Sequence, residues 1–542
     1  MLRIQSYGIY IYIRTPSRIS LALYILNIMC HMSCFWYCLV LAGLGLVIYR
    51  ASNIYFDHQG SPKPKNVGIY SLPVYANQWP LGSDFLARSL RASKESRYME
   101  FCLDNFRRLG FTFQQLVGWN ATILTIEPAN LEFMLSANAR DWGVGIRRTI
   151  FLPLLGDGLF TQEGDKWKHS RDVLRPQFYH RHYENLEIFR PHVENLLQAI
   201  GDIRGVVDLE PLFFRLTLDV TTQFLFGESV YSQRTSKNAK ANDFEVAFDL
   251  AQSVSIKRLK FQKLHWLVGG KRFRKACDTV HQFADQIIDN MGYGNSFDNE
   301  NGHRGRSFLE AIASEYPERD ALKGQVTNVL AAGRDSTACL LSWTIFHIIR
   351  HPIVMGKLRS EIEALDEAEN PLCRSDLLKL EYLQNVIKEA LRLHPPIPLV
   401  SRTALRDTTL PVGGSPYQQS PIFVPKGTSV LYSAYSLHRR PDIYGTDAEV
   451  FRPERWEEER LQSREATHRG WTYMPFGGGP RSCLGMDFSL TETAYTIIRI
   501  LQRYPVLDLP TGEEILPSGQ ERQTTTIVLR PADGCKVELW GR

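Results

Sequence analysis

Apolar residues recur every three to four positions over 184–200, 244–259, 273–290, 319–351, 374–393 and 484–503, and this period predicts a helix in each. Pieces that read as strands are few and short, at 422–424, 429–432 and 524–529. The pattern describes a body that is mainly α with small β-sheets. One apolar stretch stands apart. Residues 21–49 hold no Asp, Glu, Lys or Arg, and about 20 such residues cross a bilayer as a helix. Asn27 and His31 dilute its first half, which puts the expected span within 32–49 and a little before. Arg3, Arg14 and Arg18 precede it while Arg50, Lys63 and Lys65 follow, so flanking charge does not set its orientation. Ser61-Pro62-Lys63-Pro64-Lys65 reads as a stiff linker. The expected organisation is an N-terminal extension and membrane anchor over 1–50, a proline-rich linker over 51–66 and a catalytic body over 67–542. Within the body, the polar, glycine-rich stretch 292–307 reads as an exposed loop.

The helix predicted over 319–351 lies between Pro317 and Pro352 and would run about 50 Å. Its middle reads Ala332-Gly333-Arg334-Asp335-Ser336-Thr337. Glycine costs about 1 kcal/mol against alanine there, and Asp and Ser are poor interior helix formers. A segment that breaks local rules in mid-helix points to function. Gly333 and Ser336 share a face, so a small residue leaves space beside a carboxyl and a hydroxyl that can move protons.

Near the C-terminus, Phe476-Gly477-Gly478-Gly479-Pro480-Arg481-Ser482-Cys483-Leu484-Gly485 forms a glycine-rich loop that presents one cysteine and enters a helix. Cysteine can give haem iron a soft anionic ligand, and such a thiolate favours O–O cleavage. The glycines let the backbone approach a flat macrocycle and take up positive φ. Amides opening the next helix can hold the sulfur as thiolate. Arg481 is placed to reach an anionic haem carboxylate.

The complete spacing F-x-x-G-x-R-x-C-x-G resembles the haem loop of the cytochrome P450 family. The resemblance implies the fold of that family behind an N-terminal transmembrane helix, with haem b held by Cys483 as the metal ligand and Phe476 and Gly485 shaping the loop. It extends to the central segment, which is similar to the family's A-G-x-[DE]-T-T. By that likeness Asp335, Ser336 and Thr337 are the catalytic, dioxygen-protonating residues, with Ser336 standing where the family has its first threonine. Trp167 and Arg171, one helical turn apart, match the family's W-x-x-x-R and imply contacts to a haem propionate, and Arg402 aligns with another. Glu389 and Arg392, followed by Phe451-Arg452-Pro453-Glu454-Arg455-Trp456, resemble its Glu-Arg plus second-arginine network, a structural role. His180 and His182 face apart on a helix and are not a metal pair.

Four segments, 155–160, 167–178, 438–456 and 473–485, look closest to the fungal alkane-inducible branch, whose members hydroxylate n-alkanes and fatty acids at the chain terminus. By analogy the pocket draws on 139–155, 331–336, 398–401 and 523–527, with Trp142, Phe151, Leu152, Leu154, Leu399 and Val400 giving the apolar lining a hydrocarbon chain needs. A tailoring oxygenase of fungal secondary metabolism, acting on a polyketide or terpenoid, stands as the alternative. A haem-thiolate isomerase and a non-enzymatic haem sensor fit the acid–alcohol pair less well. The resemblance further implies electrons from NADPH through NADPH-cytochrome P450 reductase, and a single-pass protein of the endoplasmic reticulum with its catalytic domain in the cytosol.

Composition narrows the classes. The chain has 542 residues, 44% hydrophobic and 22% charged, with a net charge of +5. That charge is too mild to argue for nucleic acid. Nine cysteines, with no Cys-x-x-Cys pair, read as reduced thiols facing the cytosol, so the sequon Asn120-Ala121-Thr122 is read as unused.

Overall fold

The computed structural model describes residues 2–6, 9–13, 36, 39–40, 43–45, 72–75, 77, 79, 82–117, 120–201, 205–234, 239–290, 308–365, 371–414, 417–457, 469–517 and 519–540. The chain divides into two compact units, Met1–Lys65 and Asn66–Arg542. In the first, Leu2–Ser6 and Ile9–Ile13 pair as an antiparallel hairpin. The expected span over 21–49 lies mostly outside the described residues; Trp36, Leu39, Val40, Gly43, Leu44 and Gly45 are described, and all are helical. The linker at 61–65 and the loop at 292–307 lie outside them altogether. Among the described residues no single helix is long and apolar enough to cross a membrane.

The second unit is built around the helix Arg319–Arg350, here the central helix. It is apolar on most faces, as a helix enclosed by others must be. It stops at His351 because Pro352 disfavours helical backbone in the residue before it. Glu210–Phe226 packs along it, and Met486–Arg503 crosses it behind the glycine-rich loop. A five-stranded sheet stands to one side, in the order Thr112–Val117, Asn120–Thr125, Ser429–Ser433, Leu399–Ala404, Trp142–Gly143. Three smaller sheets complete the body, which is mainly helical as expected.

Three boundaries differ from the periodic reading, each for a tertiary reason. The helix expected over 374–393 breaks into Arg374–Lys379 and Glu381–Leu393. The carboxylate of Glu361 accepts the backbone N–H groups of Tyr382 and Leu383 at 2.8 and 2.9 Å, starting a new helix there. The strand expected over 524–529 is a hairpin, with Gln523–Thr525 paired to Leu529–Pro531. The helix expected from residue 184 begins at Arg190, with Pro191 in its first turn and Leu186 at φ 59° before it.

Candidate active site

The glycine-rich loop is a tight turn closed by the Cys483 N–H, which donates to the Phe476 carbonyl at 3.0 Å. Gly477 and Gly479 sit at φ 70° and 67°, and a Cβ on Gly479 would run into the Leu135 carbonyl. Only glycine fits that approach. Cys483 is exposed, yet burial pushes its thiol up, while the Gly485 N–H and then Arg171 draw it down. Both hold for a sulfur that looks into a recess inside the body. Gly485 caps Met486–Arg503, so the donor at the sulfur comes from the start of that helix.

Beside the loop the fold gathers cations. Arg481 lies 4.2 Å over the Trp167 ring, and Arg171 is 5.9 Å from it. Arg171 also donates to the Ser482 carbonyl at 2.8 Å. Arg402 is buried on its strand and donates to the Ser401 carbonyl. Arg147, from the first turn of Ile146–Leu155, joins them. Burial, then Arg402 and Arg481, push Arg147 down to about 9, and burial with Arg402 pushes Arg481 down to about 10. Glu163 opposes both, but its carboxylate already accepts the Val144 and Gly145 N–H groups. The Arg147 Nε is buried without a partner. So many guanidinium groups around one carboxylate call for further anions, and the two carboxylates of a haem fit that need. Sequence reasoning did not find Arg147; its only signal was two arginines after Gly145 in the segment assigned to the pocket.

The central helix does not present its odd residues as one group. The Asp335 carboxylate is buried, accepts from Gln252 and from Arg334 at 3.0 Å, and is pushed up by burial against the pull of Arg334. Arg334 is held in turn by Asp249 at 3.1 Å and Glu245 at 3.4 Å. The Ser336 hydroxyl donates back to the Ala332 carbonyl at 2.7 Å, and Thr337 shares a 2.9 Å bond with Ser489. The space expected beside Gly333 is not open. A Cβ there would meet Thr221 of Glu210–Phe226 at 2.5–3.3 Å, so this glycine serves helix packing.

The Glu-Arg network is assembled and buried. Glu389 and Arg392 are both fully buried, with Nη2 2.7 Å from Oε1. Arg455 and Trp456 donate to the same carboxylate at 3.3 and 3.1 Å. Among the proposed lining residues, Trp142 and Leu154 are packed in the core while Leu152 is exposed on the outer side of its helix. His180 and His182 lie on a short 3-10 turn, and no metal-holding cluster occurs among the described residues.

The cytochrome P450 family model matches residues 84–537, and the chain belongs to that family. It is 39% identical over 474 residues to a cytochrome P450 of Arthroderma benhamiae, covering 86% of this chain and 91% of that one. It is 39% identical over 477 residues to cytochrome P450 monooxygenase g430 of a Fusarium species, covering 84% and 82%. It is 37% identical over 524 residues to cytochrome P450 52A5 of Candida maltosa, covering 93% and 97%. The chain is therefore a cytochrome P450 monooxygenase, of a family that uses thiolate-ligated haem and electrons supplied from NADPH.

Proposed function

We propose that this enzyme hydroxylates the terminal carbon of a long-chain fatty acid or alkane. The observation that carries the reading is the run of segments from Leu155 to Gly485 resembling the alkane- and fatty-acid-hydroxylating branch. Haem, when bound, supplies the activation of dioxygen that lets one oxygen atom enter an unactivated C–H bond. Cys483 would hold its iron, and the Gly485 N–H keeps that sulfur closer to thiolate. Arg147, Arg402 and Arg481 would receive its carboxylates, with Trp167 and Arg171 bracing Arg481 and the loop. Asp335 retains a proton more readily than an exposed carboxyl and passes it toward Ser336, whose hydroxyl turns from the Ala332 carbonyl to donate. Thr337 holds the helix to Ser489. NADPH-cytochrome P450 reductase is the electron-donating partner in this reading, and the membrane of the endoplasmic reticulum the site, reached through the stretch 21–49.

A second reading, a tailoring oxygenase acting on a polyketide or terpenoid, draws on Ser336, where the family has threonine. The test uses microsomes carrying the enzyme, reductase and NADPH with a chain-length series of alkanes and fatty acids, products identified by mass spectrometry. Terminal alcohols support the first reading. No product despite a thiolate-type reduced carbon-monoxide spectrum overturns it in favour of the second. Cys483→Ala retaining that spectrum would remove Cys483 as the ligand.

A further inference from the structure

Lys260 stands near the end of the helix Ala239–Phe261. Gln252, eight residues earlier, holds the Asp335 carboxylate, so the two positions are about 12 Å apart along the helix axis. The Lys260 ammonium lies 3.8 Å over the Tyr98 ring and donates to the Ser93 hydroxyl. Tyr98 in turn packs with Leu399 onto the cluster of Met99, Tyr435 and Leu529. The Ser96 carbonyl accepts the Gln523 N–H at 2.7 Å. Leu399 and Gln523 belong to two of the four segments the sequence assigned to the substrate pocket. The cation thus sits on Tyr98, which packs in the same cluster as Leu399.

It has no anion. Its charged neighbours among the described residues are the Cys102 thiol and Lys257, with no carboxylate among them. Burial, the larger cause, and Lys257 push Lys260 down to about 8. A half-buried ammonium without a counter-ion is costly, and an arriving carboxylate would restore it. The aromatic face and the hydroxyl fix the head in place but leave donors free, since an ammonium carries three.

Resting on the lipid-hydroxylase reading above, we infer that Lys260, held by Tyr98 and Ser93, is the anchor for the carboxylate of a fatty-acid substrate, which makes the acid rather than the alkane the preferred chain. The terminal methyl then points inward because the charged end is caught at the far end of the helix. Lys260 is a specificity-determining residue, not a catalytic one.

The full-length enzyme with haem, reductase and NADPH tests this against palmitic acid and hexadecane. In Lys260→Gln the acid-to-alkane ratio of kcat/KM should fall about tenfold, through KM of the acid, as expected for losing one charge-assisted contact. Lys260→Arg should recover it. A ratio within about twofold of wild type overturns the anchor while leaving the hydroxylase reading in place. If wild type makes no product from either chain, the hydroxylase reading fails, and palmitate titration followed by the haem spin-state spectrum decides the anchor. Weaker palmitate binding in Lys260→Gln then upholds it, and equal or absent binding overturns it. An unchanged ratio with weaker binding to phosphatidic-acid vesicles assigns the cation to lipid phosphates and likewise overturns the anchor.

Discussion

His438 accepts the Met474 N–H on Nε2 at 2.8 Å while its Nδ1 lies 3.1 Å from the Arg392 carbonyl. One neutral imidazole, donating at one nitrogen and accepting at the other, thereby ties the buried Glu389–Arg392 pair to the segment that enters the glycine-rich loop. Burial first, then Arg392 and Arg439, push this histidine down to about 3. His347 and His394, hydrogen-bonded at 3.0 Å, are also held well below the usual range by burial. The unfolded chain binds protons at these three sites below about pH 6.5, and the folded one does not. Their stabilisation is complete above that pH and is lost as pH falls toward 3. The unfolding free energy from urea titration should drop between pH 6.5 and 4 by on the order of 1 kcal/mol per pH unit per histidine. His438→Gln should flatten the slope by one proton. A slope identical to wild type in that variant would be the contrary result.

Arg147 should have opposite effects on the empty and the loaded protein. Without haem, Arg402 and Arg481 repel it in a buried place. Arg147→Gln should therefore raise the unfolding temperature of haem-free protein. With haem bound, the same change removes a charge-assisted contact to a carboxylate, and haem should transfer to an apo-globin acceptor about tenfold faster. Haem transfer no faster than from the wild-type protein would remove Arg147 from the haem-binding set.

What the sequence showed and what it hid divide by the range of the forces. The central helix was legible because Pro317 and Pro352 bound it and its apolar residues run through most of its length. Cys483, Arg481 and Gly485 were legible because they share one loop. The break at Leu380 was hidden, because Glu361 causes it from another helix. Arg147 was hidden because its partners come from a strand, a loop and a helix far apart in sequence. Asp335 stood out as a poor helix former in mid-helix, yet its contacts with Gln252 and Arg334 depend in part on the neighbouring helix Ala239–Phe261.

Asp335 can be neutralised without dismantling its surroundings. In Asp335→Asn, Arg334 keeps Asp249 and Glu245 as partners, and the new amide can still meet Gln252. Haem content should stay at the wild-type level. Product formation should fall about 100-fold, the low end for loss of a positioned proton donor. A rise in the solvent isotope effect on turnover should accompany it. Undiminished turnover would exclude Asp335 from proton delivery.

Gly333 separates two explanations of one residue. If its role is to let the central helix approach Glu210–Phe226, Gly333→Ala puts a methyl against the Thr221 side chain. Overpacking of that kind costs about 1–3 kcal/mol, offset by about 1 kcal/mol of helix propensity. Thr221→Ala removes the two atoms that a Cβ would meet at 2.5 and 2.9 Å. The double variant should then recover both the unfolding midpoint and the rate of product formation lost in Gly333→Ala. If the glycine instead keeps space open for dioxygen, trimming Thr221 on the neighbouring helix restores no activity. Thermal unfolding and turnover of the four proteins of this cycle distinguish the cases, because only the packing role lets one substitution repair the other.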